Sequence, residues 1–183
     1  MSGHKFYAPK GVGALYVREG VPFEKMQDGG HQEKDKRAGT ENVAEIVGLG
    51  KAIEEIYQKY DEYNTKLQNL RDLYIQKVES IFPQAKLNGD RINRLPGNSS
   101  FSFPGINAQE LLLDLDARGI CASAGSACST GNPEPSHVLT ALGLPSNLAQ
   151  GTLRVTFGKD NTKEDIEYLV ESLKEILIDK TKQ

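Results

Sequence analysis

Apolar residues recur at helical spacing twice in the first half of the chain. From residue 43 onward, Ile46, Val47, Gly50, Ile53, Ile56, Tyr57 and Tyr60 keep that interval. Tyr63, Leu67, Leu70, Tyr74, Val78 and Ile81 carry it on to Phe82-Pro83, where proline ends a helix. This spacing predicts long helices joining two domains. Beyond Pro83 short strand and helix patterns alternate. Residues 98–103 read as a strand, and residues 108–118 as a helix with Leu111, Leu112 and Leu115 inward and Gly119 as its C-terminal cap. Residues 120–123 read as another strand. A short helix follows from Pro135 through His137, Leu139 and Leu142, closed by Gly143. In residues 152–157, Leu153, Val155 and Phe157 share one face and Arg154 lies on the other. Thr162-Lys163-Glu164-Asp165 resembles a capping box and opens a helix buried through Ile166, Leu169, Val170, Leu173, Ile176 and Leu177. Near the start, Ala14-Leu15-Tyr16-Val17 is strand-like, and residues 20–40 form a polar, glycine-bearing stretch that reads as a long loop. The pattern as a whole is that of an α/β chain.

Composition narrows the classes of partner. The 183 residues give enough chain for one or two domains with a real core. The 22 Lys plus Arg against 25 Asp plus Glu leave a net charge of -3 without a block of one sign, so nucleic acid is not the expected partner. No apolar run approaches the ~20 residues of a membrane span, and Met1-Ser2-Gly3-His4 does not begin a signal peptide, so no membrane partner and a cytoplasmic location are expected. Two cysteines make no disulfide framework. Cys121 lies in the apolar stretch Gly119-Ile120-Cys121-Ala122 and is expected to pack in the interior. His4, His31 and His137 are scattered and no Cys-x-x-Cys occurs, so no metal site is expected.

Two stretches carry candidate chemistry. Cys128 sits in Ala122-Ser123-Ala124-Gly125-Ser126-Ala127-Cys128-Ser129-Thr130-Gly131, which holds no bulky or charged side chain. Such a segment has little to bury, so it reads either as a mobile loop presenting one thiol for chemistry or as a connector with an incidental cysteine. At the other end, Lys5 follows Ser2-Gly3-His4, which places a hydroxyl and an imidazole near an amine. That cluster suits one anionic ligand, such as the phosphate of an aldehyde cofactor over Lys5, or it is an ordinary solvated surface.

Taken together, these stretches resemble one family along the whole chain. Ser2, His4, Lys5, Pro9, Lys10 and Gly11 match a Ser-x-His-Lys signature followed by Pro-Lys-Gly; Gly29, Gly30, Gln32, Glu33, Arg37, Gly39 and Thr40 match a Gly-Gly-x-Gln-Glu-x-x-x-Arg-x-Gly-Thr segment. Ser123, Gly125, Ser126, Ala127 and Cys128 match a Ser-x-Gly-Ser-Ala-Cys loop, and Leu153-Arg154-Val155-Thr156-Phe157-Gly158 resembles a substrate-carboxylate strand. The chain therefore resembles the C-terminal half of a group I cysteine desulfurase, a pyridoxal-phosphate enzyme of the class V aminotransferase superfamily. The resemblance implies the small C-terminal α/β domain of a fold type I enzyme, residues 61–183 with an interdomain helix, and a remnant of the large cofactor domain in residues 1–60. It implies pyridoxal 5'-phosphate tethered to Lys5, with Ser2, Gly3, His4 and Thr40 in the cofactor site. Arg154 is implied for the substrate carboxylate, and Cys128 as the thiol that takes sulfur from L-cysteine, leaving L-alanine and a persulfide. Thr40 matches a position that reaches the cofactor phosphate of the opposite subunit, which implies a homodimer; His31 falls at a variable position and is assigned no role.

The family's ring-stacking histidine, its aspartate at the pyridine nitrogen and its further phosphate ligands cannot be placed in this sequence. The chain is accordingly expected to be a truncated product or a fragment, with residues 12–17 lacking their sheet neighbours and the isolated chain self-associating through them. The sulfur acceptor is expected to be another protein or scaffold, in iron-sulfur cluster assembly, transfer-RNA thiolation or a thiamine route. The alternatives are a non-catalytic fragment acting as a sulfur-carrying or interaction module, and a related selenocysteine lyase. An aminotransferase would have no use for a mobile thiol.

Overall fold

The computed structural model describes residues 1–124 and 136–180, and its backbone separates into two compact units, Met1–Tyr60 and Asp61–Gln183. The Cys128 loop, including Gly125, Ser126 and Ala127, and Pro135 lie outside the described residues.

The first unit is built around a short 3₁₀ turn, η1 (Gly3–Phe6), the four-residue turn α1 (Gln32–Asp35) and the helix α2 (Val43–Gln58). Its hydrophobic cluster consists of Ala8, Leu49 and Ala52, with Phe6 and Val12 against it. Gly3 lies in contact with α2, and a Cβ there would sit 2.9 Å from the Val12 carbonyl oxygen and 3.1 Å from Leu49 Cδ1. Only a residue without a side chain lets η1 approach that closely.

Two sequence expectations change here. Residues 14–17 form no strand, because the only ladder contact nearby is the single antiparallel bridge between Ser2 and Gly13, and Leu15 and Tyr16 are exposed. A strand needs a partner that these residues do not find within their unit. On α2 most of the expected apolar set is exposed: Ile46, Val47, Ile53 and Tyr57, with Val43, are exposed, while Leu49 and Ala52 are buried. The helix exists as predicted, but Leu49 and Ala52 form its buried side.

The second unit carries most of the core. The helix α3 (Tyr60–Ile81), the strands β1 (Lys86–Leu87) and β2 (Asn98–Ser102), the helices α4 (Ala108–Asp116), α5 (His137–Ala141) and α6 (Ser146–Ala149), the strand β3 (Thr152–Thr156) and the helix α7 (Lys163–Lys180) follow in chain order. The three strands form one antiparallel sheet in the order β1-β2-β3, with Phe101 opposite Leu153 and Ser100 opposite Arg154. One sheet face joins Leu111 and Leu115 of α4, Tyr74 and Val78 of α3, and Ile166 and Leu173 of α7 in a single cluster. Each such leucine, wholly removed from water, contributes about 1.5–3 kcal/mol.

The helix ends follow the sequence closely. Gly119 adopts φ 74°, with its N–H on the Asp116 carbonyl and the Ile120 N–H on the Leu115 carbonyl, a Schellman closure of α4. Gly143 closes α5 in the same way. At the start of α7 the Thr162 hydroxyl accepts from the Asp165 N–H at 3.3 Å, and the Asp165 carboxylate accepts from the Thr162 N–H at 3.0 Å. That hydrogen bond, with one from Asn161, holds the Asp165 carboxyl below the usual carboxylate range.

Residues 120–123 do not form the expected strand. Among the described residues Ser123 makes one bridge, to Arg154. Extended backbone still alternates its side chains, so Ile120 and Ala122 pack on the core and Cys121 between them faces out. The expectation that Cys121 is interior is therefore corrected: it is an exposed free thiol.

Candidate active site

The candidate residues of the first unit sit on two short segments. Ser2 precedes η1, and its Oγ lies 3.2 Å from His4 Nδ1, so the hydroxyl and imidazole form one polar pair. Lys5 follows in the same turn, exposed; its backbone N–H donates to the Ser2 carbonyl at 3.1 Å, and its side-chain amine has no hydrogen-bond or ion-pair partner among the described residues. Tyr7 ends η1 at φ 70°, and the reversal brings Ala8 back over Gly3, whose carbonyl accepts the Ala8 N–H at 3.2 Å. Gly3 thus contributes close backbone packing that fixes the turn carrying Lys5.

The second segment runs from Gly29 to Thr40. Glu33, Lys34 and Asp35 all have φ between 54° and 63°, so α1 winds left-handed. Gln32 Oε1 accepts from the Gly39 N–H at 3.1 Å. Arg37 Nη1 donates to the carbonyls of Gly39 at 3.2 Å and Thr40 at 3.4 Å, which turns the guanidinium back over its own chain. Asp35 Oδ1 accepts from Lys25 Nζ at 3.1 Å and lies 3.0 Å from His31 Nδ1. The Lys25 and His31 hydrogen bonds hold the Asp35 carboxyl below the ordinary carboxylate range. Thr40 is exposed, and the N-cap position of α2 belongs to Asn42, which makes no side-chain capping bond. Thr40 is therefore not the helix cap that its place before Glu41-Asn42-Val43 would suggest.

The second unit supplies Arg154. It stands on β3, on the sheet face opposite the hydrophobic core, in register with Ser100. That face is polar: Asn88 Nδ2 donates to Ser102 Oγ at 2.9 Å, and Ser102 Oγ lies 2.6 Å from Thr152 Oγ1. Arg154 does not join this network, and its Nε is buried with no hydrogen-bond partner among the described residues. A buried, unpaired guanidinium nitrogen is costly unless an anion completes it. The Arg154 backbone exchanges two hydrogen bonds with Ser123, at 2.7 and 3.1 Å, so the segment leading toward Cys128 starts beside this side chain. Sequence reasoning named Arg154 and Ser123 separately and missed their pairing, which depends on a contact between distant parts of the chain. It named Gln32 as a motif residue but not its hydrogen bond to Gly39, and it missed Asp35.

The residues of η1 fit a phosphate-bearing aldehyde. An amine without a partner stands next to a hydroxyl–imidazole pair on a turn whose backbone Gly3 pins, which supplies both a nucleophile for an aldehyde and donors for a phosphate.

A family model described as Aminotransferase class-V matches residues 1–169. The chain belongs to that family. Among curated class-V relatives it is similar to the "Cysteine desulfurase IscS" of Clostridium botulinum, at 53% identity over 97% of this chain and 45% of the relative. It is also similar to the protein of the same name from Dictyoglomus turgidum, at 49% identity over 97% of this chain and 45% of the relative. Among solved structures it resembles a "NifS-like protein" with TM-score 0.85 and 35% identity, covering 96% of this chain and 45% of that one. The chain spans less than half the length of the curated relatives it matches. Among the described residues, no helix is long and apolar enough to cross a membrane.

Proposed function

We propose that this class-V chain is the cofactor-lysine and thiol-bearing part of a cysteine desulfurase that converts L-cysteine to L-alanine and leaves the sulfur on Cys128 as a persulfide. The observation that carries this reading is Arg154: a guanidinium whose buried Nε has no partner among the described residues, joined through its backbone to the segment that leads into the Cys128 loop. A carboxylate completes that guanidinium with charge-assisted hydrogen bonds. An amino acid so held is oriented by its carboxylate end, leaving its amine and side chain for the rest of the site.

Ser2 and His4 would hold the phosphate of pyridoxal 5'-phosphate, Lys5 would anchor its aldehyde carbon, and Thr40 would reach the phosphate of a second subunit's cofactor in a homodimer. When bound, that group supplies an electron sink that loosens the bonds to the amino acid's α-carbon. The Lys5 amine would hold and move the proton at that carbon. The Cys128 thiolate would attack the substrate sulfur: a new S–S bond would form, the substrate's Cβ–S bond would break with its electron pair left on carbon, and that carbon would take up a proton, with Lys5 returning the one at the α-carbon, so that the fragment leaves as alanine. Delivery to an acceptor or scaffold protein then needs Cys128 accessible. Iron-sulfur cluster assembly and transfer-RNA thiolation both fit such an acceptor, and a cytoplasmic location fits the cysteine usage.

The test is alanine formation from L-cysteine by the protein with pyridoxal phosphate. Lys5→Ala and Cys128→Ser are each expected to abolish it, and Arg154→Lys to raise KM by about tenfold or more. Undiminished alanine formation in Cys128→Ser would overturn the sulfur assignment, and dominant turnover of selenocysteine in that variant would favour a selenocysteine lyase. The 45% share of the relatives' length supports a second reading, in which this chain alone is a non-catalytic sulfur-carrying or interaction module. In that case the isolated chain develops no visible absorption band with pyridoxal phosphate, whereas the chain joined to the relatives' remaining portion does.

A further inference from the structure

Glu33 and Lys34 stand at φ,ψ of 54°,37° and 57°,46°, and Asp35 follows at φ 63°. In this region the Cβ crowds the following carbonyl oxygen, so residues other than glycine enter it singly and not in succession. Three in a row persist only where the surroundings hold them. The hold is visible in the side chains. One Asp35 carboxylate oxygen takes both Lys25 Nζ at 3.1 Å and His31 Nδ1 at 3.0 Å. The Asp35 N–H closes the turn on the His31 carbonyl at 3.1 Å. After the turn, Gln32 ties to the Gly39 N–H, and Arg37 folds onto the Gly39 and Thr40 carbonyls. The turn thereby fixes the direction in which the chain leaves for Thr40.

We propose that Asp35 is a positioning residue whose carboxylate, bridging Lys25 and His31, locks a strained left-handed turn and so sets the course of the chain through Arg37 to Thr40. The claim that Thr40 then meets a cofactor phosphate rests on the proposed function; the lock itself does not. His31 and Asp35, which match no fixed position of the motif, are in this way given a shared task.

Limited trypsin digestion of the folded protein reads the lock, because Lys36 and Arg37 are exposed cleavage sites directly after the turn. Cleavage there follows the population of the open segment. Asp35→Asn keeps a residue that tolerates the left-handed region and removes only the charge. It is expected to speed cleavage after Lys36 and Arg37 by about tenfold. Lys34→Gly removes strain at one of the three positions and is expected to slow cleavage, and the double variant to return to within about twofold of the original rate. Retention of pyridoxal phosphate on dialysis is expected to weaken in Asp35→Asn and to recover in the double variant. Thr40→Val is expected to weaken retention while leaving cleavage unchanged. Cleavage of Asp35→Asn at the original rate, or faster cleavage in Lys34→Gly, overturns the proposal, and Lys34→Gly decides alone if Asp35→Asn does not fold. Unchanged retention in Thr40→Val alongside the expected cleavage pattern upholds the lock and sinks only the phosphate role of Thr40.

Discussion

Two of the buried polar atoms without partners among the described residues, the Tyr74 hydroxyl and Arg154 Nε, have opposite meanings because of what surrounds them. Tyr74 is fully buried between the rings of Phe101 and Phe157, at centroid distances of 6.0 and 5.7 Å, and desolvation raises its phenol well above the usual tyrosine range. An apolar setting gives that hydroxyl nothing to do. Tyr74→Phe is therefore expected to stabilise the protein by about 1 kcal/mol in urea unfolding at neutral pH. The sign of the pH effect follows from the raised pKa. The folded state keeps the phenol neutral while the unfolded chain ionises it above about pH 10, so stability is present below that pH and falls above it. That alkaline loss should be smaller in Tyr74→Phe. Arg154 stands instead on a polar sheet face beside Ser100 and the Ser123 bridge. If its unpaired guanidinium is kept for a substrate carboxylate, Arg154→Leu leaves stability equal or higher while abolishing turnover of L-cysteine. A fall in the urea midpoint together with retained turnover would show that Arg154 is structural.

At the scale of elements, closures decide what the chain can form. Gly151 precedes β3, and a Cβ there would drive into the Phe103 carbonyl oxygen and sit 2.9 Å from that of Ile106. The same segment accepts the Phe103 N–H through the Gly151 carbonyl at 3.0 Å, so neither side can yield without opening the β2–β3 junction. Gly151→Ala is expected to cost about 2 kcal/mol or more, against about 1 kcal/mol for Thr162→Ala at the α7 cap, both read from thermal unfolding. The α7 cap and the Gly119 and Gly143 closures were legible in the sequence because each is a local rule: one residue type at one offset from an apolar run. The helices α2, α3, α4 and α7 and the strands β2 and β3 were legible for the same reason. Lys86–Leu87 is too short for alternation to show. The left-handed turn carries no glycine to announce it, because Asp35 holds it through Lys25, ten residues away. The outward Cys121 and the Ser123–Arg154 bridge depend on which backbone meets which, and periodicity along one segment does not contain that.

At the scale of the molecule, the two units differ in what they bury. The second unites Tyr74, Phe101, Leu111, Leu115, Leu153 and Leu173, all essentially inaccessible, in one cluster. The first gathers Ala8, Leu49 and Ala52 and leaves Tyr16, Met26, Val43 and Val47 exposed. So small a cluster cannot offset the ordering of sixty residues. Residues 61–183 expressed alone are therefore expected to unfold cooperatively in urea, and residues 1–60 alone to show no transition; a cooperative transition in the shorter piece would contradict this. The motif residues of the candidate site were named from sequence, and the family resemblance already implied their division, with Lys5 in residues 1–60 and Arg154 in residues 61–183. The most direct test of the whole account locates the sulfur. The protein is incubated with pyridoxal phosphate and L-cysteine, and its cysteine peptides are weighed by mass spectrometry. One added sulfur atom on the Cys128 peptide, absent in Lys5→Ala, is the predicted result. Alanine formed with no sulfur on Cys128, or with the sulfur on the exposed Cys121, would contradict it.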